Sequence, residues 1–145
     1  MKKIAINGMG RIGRASLKVI LDTPELDLVA VNDIVSIENI AYLLKYDSVY
    51  GIYEKEVSHD ENNLIIDGKR IQYNSQRNPE DLPWAEHEID VVIESTGFFT
   101  KSDDAKKHIK AGAKSVIISA PTKSEDIPTV VHGVNTDAGE TNIFS

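Results

Sequence analysis

Short unbroken apolar runs alternate along this chain with longer amphipathic stretches. That rhythm predicts strands buried on both faces and joined by helices, so the expected class is α/β: a parallel sheet with helices on both faces. The first run, Lys3-Ile4-Ala5-Ile6, ends at Asn7-Gly8. Helical spacing follows and puts Ile12, Ala15, Val19 and Ile20 on one face, until Asp22-Thr23-Pro24 breaks it. Leu28-Val29-Ala30-Val31 is a second buried strand, and 37–44 reads as a helix. Between 54 and 73 the pattern changes. Leu64-Ile65-Ile66 and Arg70-Ile71-Gln72-Tyr73 flank Asp67-Gly68, which predicts a small antiparallel hairpin insertion. The parallel theme returns with Asp90-Val91-Val92-Ile93-Glu94 and Ser115-Val116-Ile117-Ile118. Between them lies a helix with Ser102 as its expected N-cap, Asp103 and Asp104 in its first turn, and its end at Gly112. Thr129-Val130-Val131 and Asn142-Ile143-Phe144 are the last predicted strands.

The 145 residues fit one ordinary domain, 1–145, with enough apolar content (41%) for a core that needs no staples. The absence of cysteine excludes a disulfide framework, a thiolate zinc site and a cysteine nucleophile within these residues. His59, His87, His108 and His132 show no metal-ligand spacing, so no metal is expected. The apolar stretch after Met1-Lys2-Lys3 is too short for a signal peptide, and no run approaches a membrane span. A reducing, cytoplasmic location is the default expectation. A net charge of −7 argues against a nucleic-acid surface. It does not argue against a phosphorylated ligand, because backbone N–H groups at a helix N-terminus can hold a pyrophosphate.

Gly8-Met9-Gly10-Arg11-Ile12-Gly13 follows the first strand and opens the first helix. In that context the three glycines have separate expected jobs: a tight turn at Gly8, close approach of a pyrophosphate at Gly10, and close helix–strand packing at Gly13. Arg11 and Ile12 are expected to supply N–H groups at the helix start. Asp33 lies twenty residues beyond Gly13, where a dinucleotide fold places a carboxylate on the adenine ribose. Such a carboxylate accepts from the ribose hydroxyls and repels a 2′-phosphate, which favours NAD over NADP. A turn or cap role for Asp33 is the plain alternative. Ser95-Thr96-Gly97 and Ser119-Ala120-Pro121 each follow a buried strand, at the sheet edge where ligands bind. Spacing alone favours ordinary turn chemistry for both. Arg77 either stacks on an adenine ring or is a solvated loop residue, and bare sequence favours the latter. Trp84 reads as packing.

Taken together, Ala5-Ile6-Asn7-Gly8-Met9-Gly10-Arg11-Ile12-Gly13-Arg14, Val31-Asn32-Asp33, Leu43-Leu44-Lys45-Tyr46-Asp47-Ser48, Leu82-Pro83-Trp84, Glu94-Ser95-Thr96-Gly97, Ala111-Gly112-Ala113-Lys114 and Ile118-Ser119-Ala120-Pro121 resemble the opening half of the glyceraldehyde-3-phosphate dehydrogenase family, in the same order and across essentially the whole chain. The resemblance implies a Rossmann-type NAD-binding domain. It implies cofactor contacts from Asn7, Gly8, Gly10, Arg11 and Ile12 near the pyrophosphate, from Asp33 on the adenosine ribose and from Arg77 on the adenine side. Thr96, Gly97 and Ser119 would line the path towards the nicotinamide. Ile34, where related enzymes that use NADP have small or hydroxyl residues, also points to NAD. The family oxidises its aldehyde through a cysteine thiohemiacetal, with hydride passing to NAD and phosphate releasing the acyl group. The cysteine, its histidine partner and the substrate-phosphate groups belong to a C-terminal half absent from these residues. Ser145 falls inside an apolar run with no stop signal, so a fragment that binds NAD and catalyses nothing alone is expected, with glyceraldehyde 3-phosphate and phosphate as partners only of a full-length homotetramer. Rivals are the related erythrose-4-phosphate dehydrogenase, a stand-alone nucleotide-binding module that ends naturally near Ser145, and a Rossmann domain for another adenosine ligand such as S-adenosylmethionine.

Overall fold

A computed structural model describes residues 1–135 and 139–145. The first βαβ unit consists of β1 (Lys2–Asn7), α1 (Arg11–Leu21) and β2 (Leu26–Asn32). Next come α2 (Ile37–Lys45), a two-stranded hairpin β3 (Tyr46–Asp47) and β4 (Gly51–Ile52), and three further strands: β5 (Val57–His59), β6 (Asn63–Ile66) and β7 (Lys69–Asn74). The second half supplies β8 (Val91–Glu94), α3 (Ser102–Lys110), β9 (Ser115–Ile118) and β10 (Ile143–Phe144).

One eight-stranded sheet runs in the order β10-β9-β8-β1-β2-β7-β6-β5. All pairings from β10 to β7 are parallel, and only β7–β6 and β6–β5 are antiparallel. Numbered as parallel strands alone, the order is 3-2-1-4-5-6, the doubly wound arrangement. Its direction of winding reverses between β1 and β8, so the connections leaving their paired carboxyl ends run to opposite faces of the sheet and leave a crevice.

The predicted hairpin forms at Asp67-Gly68, where both residues have positive φ (47° and 81°), as a two-residue turn of matching twist requires. The hairpin is continuous with the main sheet. Its second strand, β7, also pairs in parallel with β2 (Ala30 with Gln72, Asn32 with Asn74) and so serves as the third strand of the main sheet.

Helices cover both faces. Alternate residues Ile4 and Ile6 of β1 face α1 and α2 in one core with Leu17, Ile20, Ile40, Leu44 and Leu64. Ala5 and Ala30 face the other side, against Leu82, Trp84, Ile89 and Val92. On that same side α3 adds Ala105 to Val116, Ile118 and Ile127. An eleven-residue helix such as α1 is marginal alone. Burial of Leu17 and Ile20, worth about 1.5–3 kcal/mol each, holds it on the sheet.

Three expectations are corrected. The core face of α1 is Gly13, Leu17 and Ile20, whereas Ile12, Ala15 and Val19 are exposed. Gly13 takes the first core position because it packs against the Gly8 carbonyl, and a period count that scores only large apolar side chains overlooks it. Ser102 is not the N-cap of α3. Lys101 occupies that position without a side-chain bond, and the Ser102 N–H is accepted by the Ser124 hydroxyl at 3.0 Å, a cap supplied from the following loop. Finally, 129–131 is not a strand. The Val130 N–H donates to the Ser145 carbonyl and the Ser145 N–H to the Pro128 carbonyl, but the segment's ladder stops there, apart from a single bridge from Val131 to Asn135.

Candidate functional site

The crevice between the ends of β1 and β8 opens into a cavity of about 460 Å³, within the range of small-molecule and cofactor sites. Asn7, Gly8, Gly10, Asn32, Asp33, Ile34, Gln76, Arg77, Ser95, Thr96, Phe98 and Phe99 line it. All come from the carboxyl ends of β1, β2, β7 and β8 or the turns just beyond them, the edge at which open α/β sheets bind ligands.

The glycine loop forms one wall, and its three glycines are required for different reasons. Gly8 has φ +95°, and a Cβ there would lie 2.6 Å from the Thr96 nitrogen. A Cβ on Gly13 would lie 2.0 Å from the Gly8 carbonyl oxygen, so α1 can start this close to β1 only without one. Gly10, the N-cap of α1, would meet no protein atom within 4 Å. The protein's own packing therefore explains Gly8 and Gly13 but not Gly10, which lines the cavity. Arg14 braces the loop from behind, its guanidinium donating to the Met9 carbonyl at 3.0 Å.

Asp33 lines the cavity directly beside the glycine loop. Its carboxylate accepts the Met9 N–H at 2.7 Å through Oδ2 and the Val35 N–H at 2.9 Å through Oδ1. The second bond is an ordinary turn contact, as the plain alternative supposed; the first ties the glycine loop to the end of β2. Each carboxylate oxygen has a further lone-pair direction for a ligand hydroxyl. Ser36, not Asp33, caps α2 by accepting the Asn39 N–H. Beyond Asp33, Asn32 and Gln76 exchange two bonds, of 2.9 and 2.8 Å, and fix the loop that carries Arg77.

Beneath the cavity lies a buried polar layer, of which Asn7 and Asn32 reach the lining. Asn7, Asn32 and Glu94 at the strand ends, and His108 on α3, are at most 4% exposed. The Glu94 carboxylate accepts from the Asn7 amide (2.6 Å), the Thr96 N–H (2.9 Å) and the Thr96 hydroxyl (2.5 Å), and His108 Nε2 lies 2.7 Å away. The Asn32 amide donates to Asn7 Oδ1 at 2.7 Å and links this layer to the Asp33 side.

Of the ten expected site residues, the structure brings Asn7, Gly8, Gly10, Asp33, Arg77 and Thr96 round this one cavity. Arg11 and Ile12 start α1, but their side chains point elsewhere: Arg11 lines a separate surface depression with Arg14 and Lys18, and Ile12 is exposed. Only their backbone can serve the loop. Gly97, with φ +77°, forms the turn after Thr96 without lining the cavity. Ser119 lies at the end of β9, where its hydroxyl is within hydrogen-bond distance of the Glu94 carbonyl, which accepts at 3.2 Å, and of the Ser95 hydroxyl at 3.0 Å. Sequence reasoning did not single out Gln76, Phe98, Phe99, Glu94 or His108. Phe98 and Phe99 follow the strand-end turn directly, a signal that was available; nothing in the spacing links Glu94 to His108.

Comparison with known proteins agrees with this geometry. The family model described as glyceraldehyde 3-phosphate dehydrogenase, NAD binding domain, matches residues 2–102. The chain belongs to this family. Among its relatives are proteins named glyceraldehyde-3-phosphate dehydrogenase from Geobacillus stearothermophilus (54% identical over 135 residues) and Streptomyces coelicolor (52% over 136), and glyceraldehyde-3-phosphate dehydrogenase 1 from Bacillus subtilis (53% over 135). Each alignment covers 93% of this chain and 40% of the relative, so the chain spans two-fifths of the length of these relatives. Among the described residues, no helix is long and apolar enough to cross a membrane.

Proposed function

We propose that residues 1–145 are the NAD-binding domain of an NAD-dependent phosphorylating glyceraldehyde-3-phosphate dehydrogenase of glycolysis, a homotetramer acting in the cytoplasm. The observation that carries the reading is Gly10: an unpacked glycine lining the cavity at the switch point, at the N-terminus of α1, with the Asp33 carboxylate bonded to the N–H of the residue before it. A pyrophosphate supplies the reason for that glycine which the protein's own packing does not.

The residues fit the dinucleotide as follows. The first-turn N–H groups of α1, including those of Arg11 and Ile12, receive the pyrophosphate. Asp33, held in place by the Met9 and Val35 N–H groups, accepts from the adenosine ribose hydroxyls and repels a 2′-phosphate. Arg77 and Ile34 flank the adenine side, and Thr96, Gly97 and Ser119 lie along the path to the nicotinamide. NAD, when bound, supplies the hydride acceptor. These residues bind and orient it, and they hold no nucleophile for the aldehyde. Residues 1–145 alone are therefore expected to bind NAD without turnover. The names of the relatives favour glyceraldehyde 3-phosphate over erythrose 4-phosphate as substrate. Gly10, suited to the close approach of a pyrophosphate, counts against S-adenosylmethionine.

The test is a titration of the natural polypeptide with NAD and NADP, repeated for Asp33→Ala. Preference for NAD, lost together with roughly tenfold of NAD affinity in the variant, is expected. Equal affinity for both cofactors in both proteins would sink the ribose assignment. Turnover of the two aldehyde phosphates in the same preparation separates the substrates.

A further inference from the structure

Behind the lining of the cavity lies a buried histidine that the reading above does not use. His108 is fully buried on α3, and both its ring nitrogens have partners: the Trp84 indole nitrogen lies 3.0 Å from Nδ1, and Glu94 Oε2 lies 2.7 Å from Nε2. An indole N–H can only donate. Nδ1 must therefore accept, which leaves the proton on Nε2, pointing at the carboxylate. The chain of donation runs in one direction, Trp84 to His108 to Glu94. Protonating Nδ1 would set donor against donor at 3.0 Å, so this geometry admits only the neutral Nε2–H form.

Glu94 Oε2 then receives His108 and Asn7, and Oε1 is turned to the strand end, where it receives both the backbone N–H and the hydroxyl of Thr96. The same Thr96 hydroxyl accepts the Phe98 N–H at 3.2 Å, which sets the course of the turn that lines the cavity. The Thr96 hydroxyl proton is thus committed inward, and what the turn offers a ligand is its backbone and the Phe98 ring. Four donors from β1, α3 and the turn after β8 converge on one buried carboxylate. Rotation of that carboxylate would release the turn.

We propose that His108 is a positioning residue for the cofactor: as the neutral Nε2–H tautomer fixed by Trp84, it locks Glu94, and Glu94 holds the Thr96–Phe98 turn in its binding conformation. This rests on the reading of the cavity as a dinucleotide site, but its first link is independent of any ligand.

The test has two arms, both on the natural polypeptide. In the first, without cofactor, ¹⁵N-histidine labelling reads the His108 ring, with the His108→Phe variant to assign it. A protonated-type shift at Nε2 and a bare-nitrogen shift at Nδ1 are expected, together with amide exchange at Thr96 accelerated at least tenfold in Trp84→Phe, which keeps an aromatic ring but loses the N–H. An Nδ1–H or doubly protonated ring, or unchanged exchange at Thr96, would overturn the proposal. In the second arm, NAD affinity is measured for His108→Phe, Thr96→Val and the double variant. A loss of about tenfold in each single variant is expected, with little further loss in the double, because both act through Glu94. Multiplying losses would show that His108 acts only through general stability and would overturn the proposal. If His108→Phe does not fold, the same cycle is run with Trp84→Phe. If the unaltered protein binds no NAD, the dinucleotide reading fails and with it the cofactor role of His108; the first arm then reports only whether the lock on the turn exists.

Discussion

At the scale of single residues, the glycine loop separates folding from binding. Gly13→Ala would drive a Cβ to 2.0 Å from a backbone carbonyl oxygen that cannot move without shifting β1. We expect a loss of about 1–3 kcal/mol or more in urea unfolding, the scale of overpacking. Gly10→Ala meets nothing in the protein. Its cost in urea unfolding should stay below that of Gly13→Ala, limited to roughly 1 kcal/mol or less for replacing an N-cap glycine, while its NAD affinity falls by about an order of magnitude. Similar damage to both properties in both variants would contradict the assignment of their separate roles. The motif was legible in the sequence because strand, glycines and helix are contiguous. The expected division of its glycines was legible with it; the atoms opposite each one, the Thr96 nitrogen for Gly8 and the Gly8 carbonyl for Gly13, were not, since they come from distant segments or from the way α1 folds back on the loop.

At the scale of elements, the helix starts show how local and distant capping differ. α2 is capped by its own Ser36, and Ser36→Ala should cost about 1 kcal/mol by thermal or denaturant unfolding. α3 is capped from twenty-two residues away by Ser124, and Ser102 uses its hydroxyl to donate to Asp126 at 2.6 Å instead. Ser124→Ala should therefore fray the start of α3, read as faster amide exchange at Ser102, whereas a cap inside the helix would leave it unaffected. Ser102 followed by Asp103 and Asp104 looks like a cap by composition. It is buried, and that burial is decided by the loop folding over it. The short hairpin β3–β4 was missed for a related reason: two residues per strand leave no period to read.

At the scale of the whole molecule, the two ends of the sheet do different work. The carboxyl end holds the cavity; the amino end is tied together by Asp90, just before β8. Its carboxylate accepts the Lys114 ammonium at 2.7 Å and the Lys3 N–H at 2.9 Å, joining the starts of β9 and β1. These bonds, the Lys114 one foremost, hold the Asp90 carboxyl at about 2, against an ordinary value of 3.8. Because the folded value is the lower one, this stabilisation is fully present above about pH 4 and is lost as the pH falls towards 2. Melting temperature followed from pH 6 to pH 2 should drop less steeply below pH 4 in Asp90→Asn than in the parent. NAD affinity at neutral pH should be the same in both, since Asp90 sits at the opposite end of the strands. Identical acid slopes would exclude Asp90 as a contributor.

The sequence by itself determined the class of fold, the strand–glycine–helix opening, the hairpin at Asp67-Gly68 and the distance from Gly13 to Asp33. All are set by periodicity, backbone chemistry or spacing along a contiguous stretch. Tertiary structure alone decided the face of α1, because the position that chooses it is a glycine with no side chain to count. It alone made β7 both hairpin strand and third parallel strand, since pairing partners are not encoded by either strand in isolation. It alone assembled Trp84, His108, Glu94, Asn7 and Thr96. Each of these looks ordinary in its own segment. Their chemistry arises only when β1, β8 and α3 bring a donor, a ring and a carboxylate together in the buried interior.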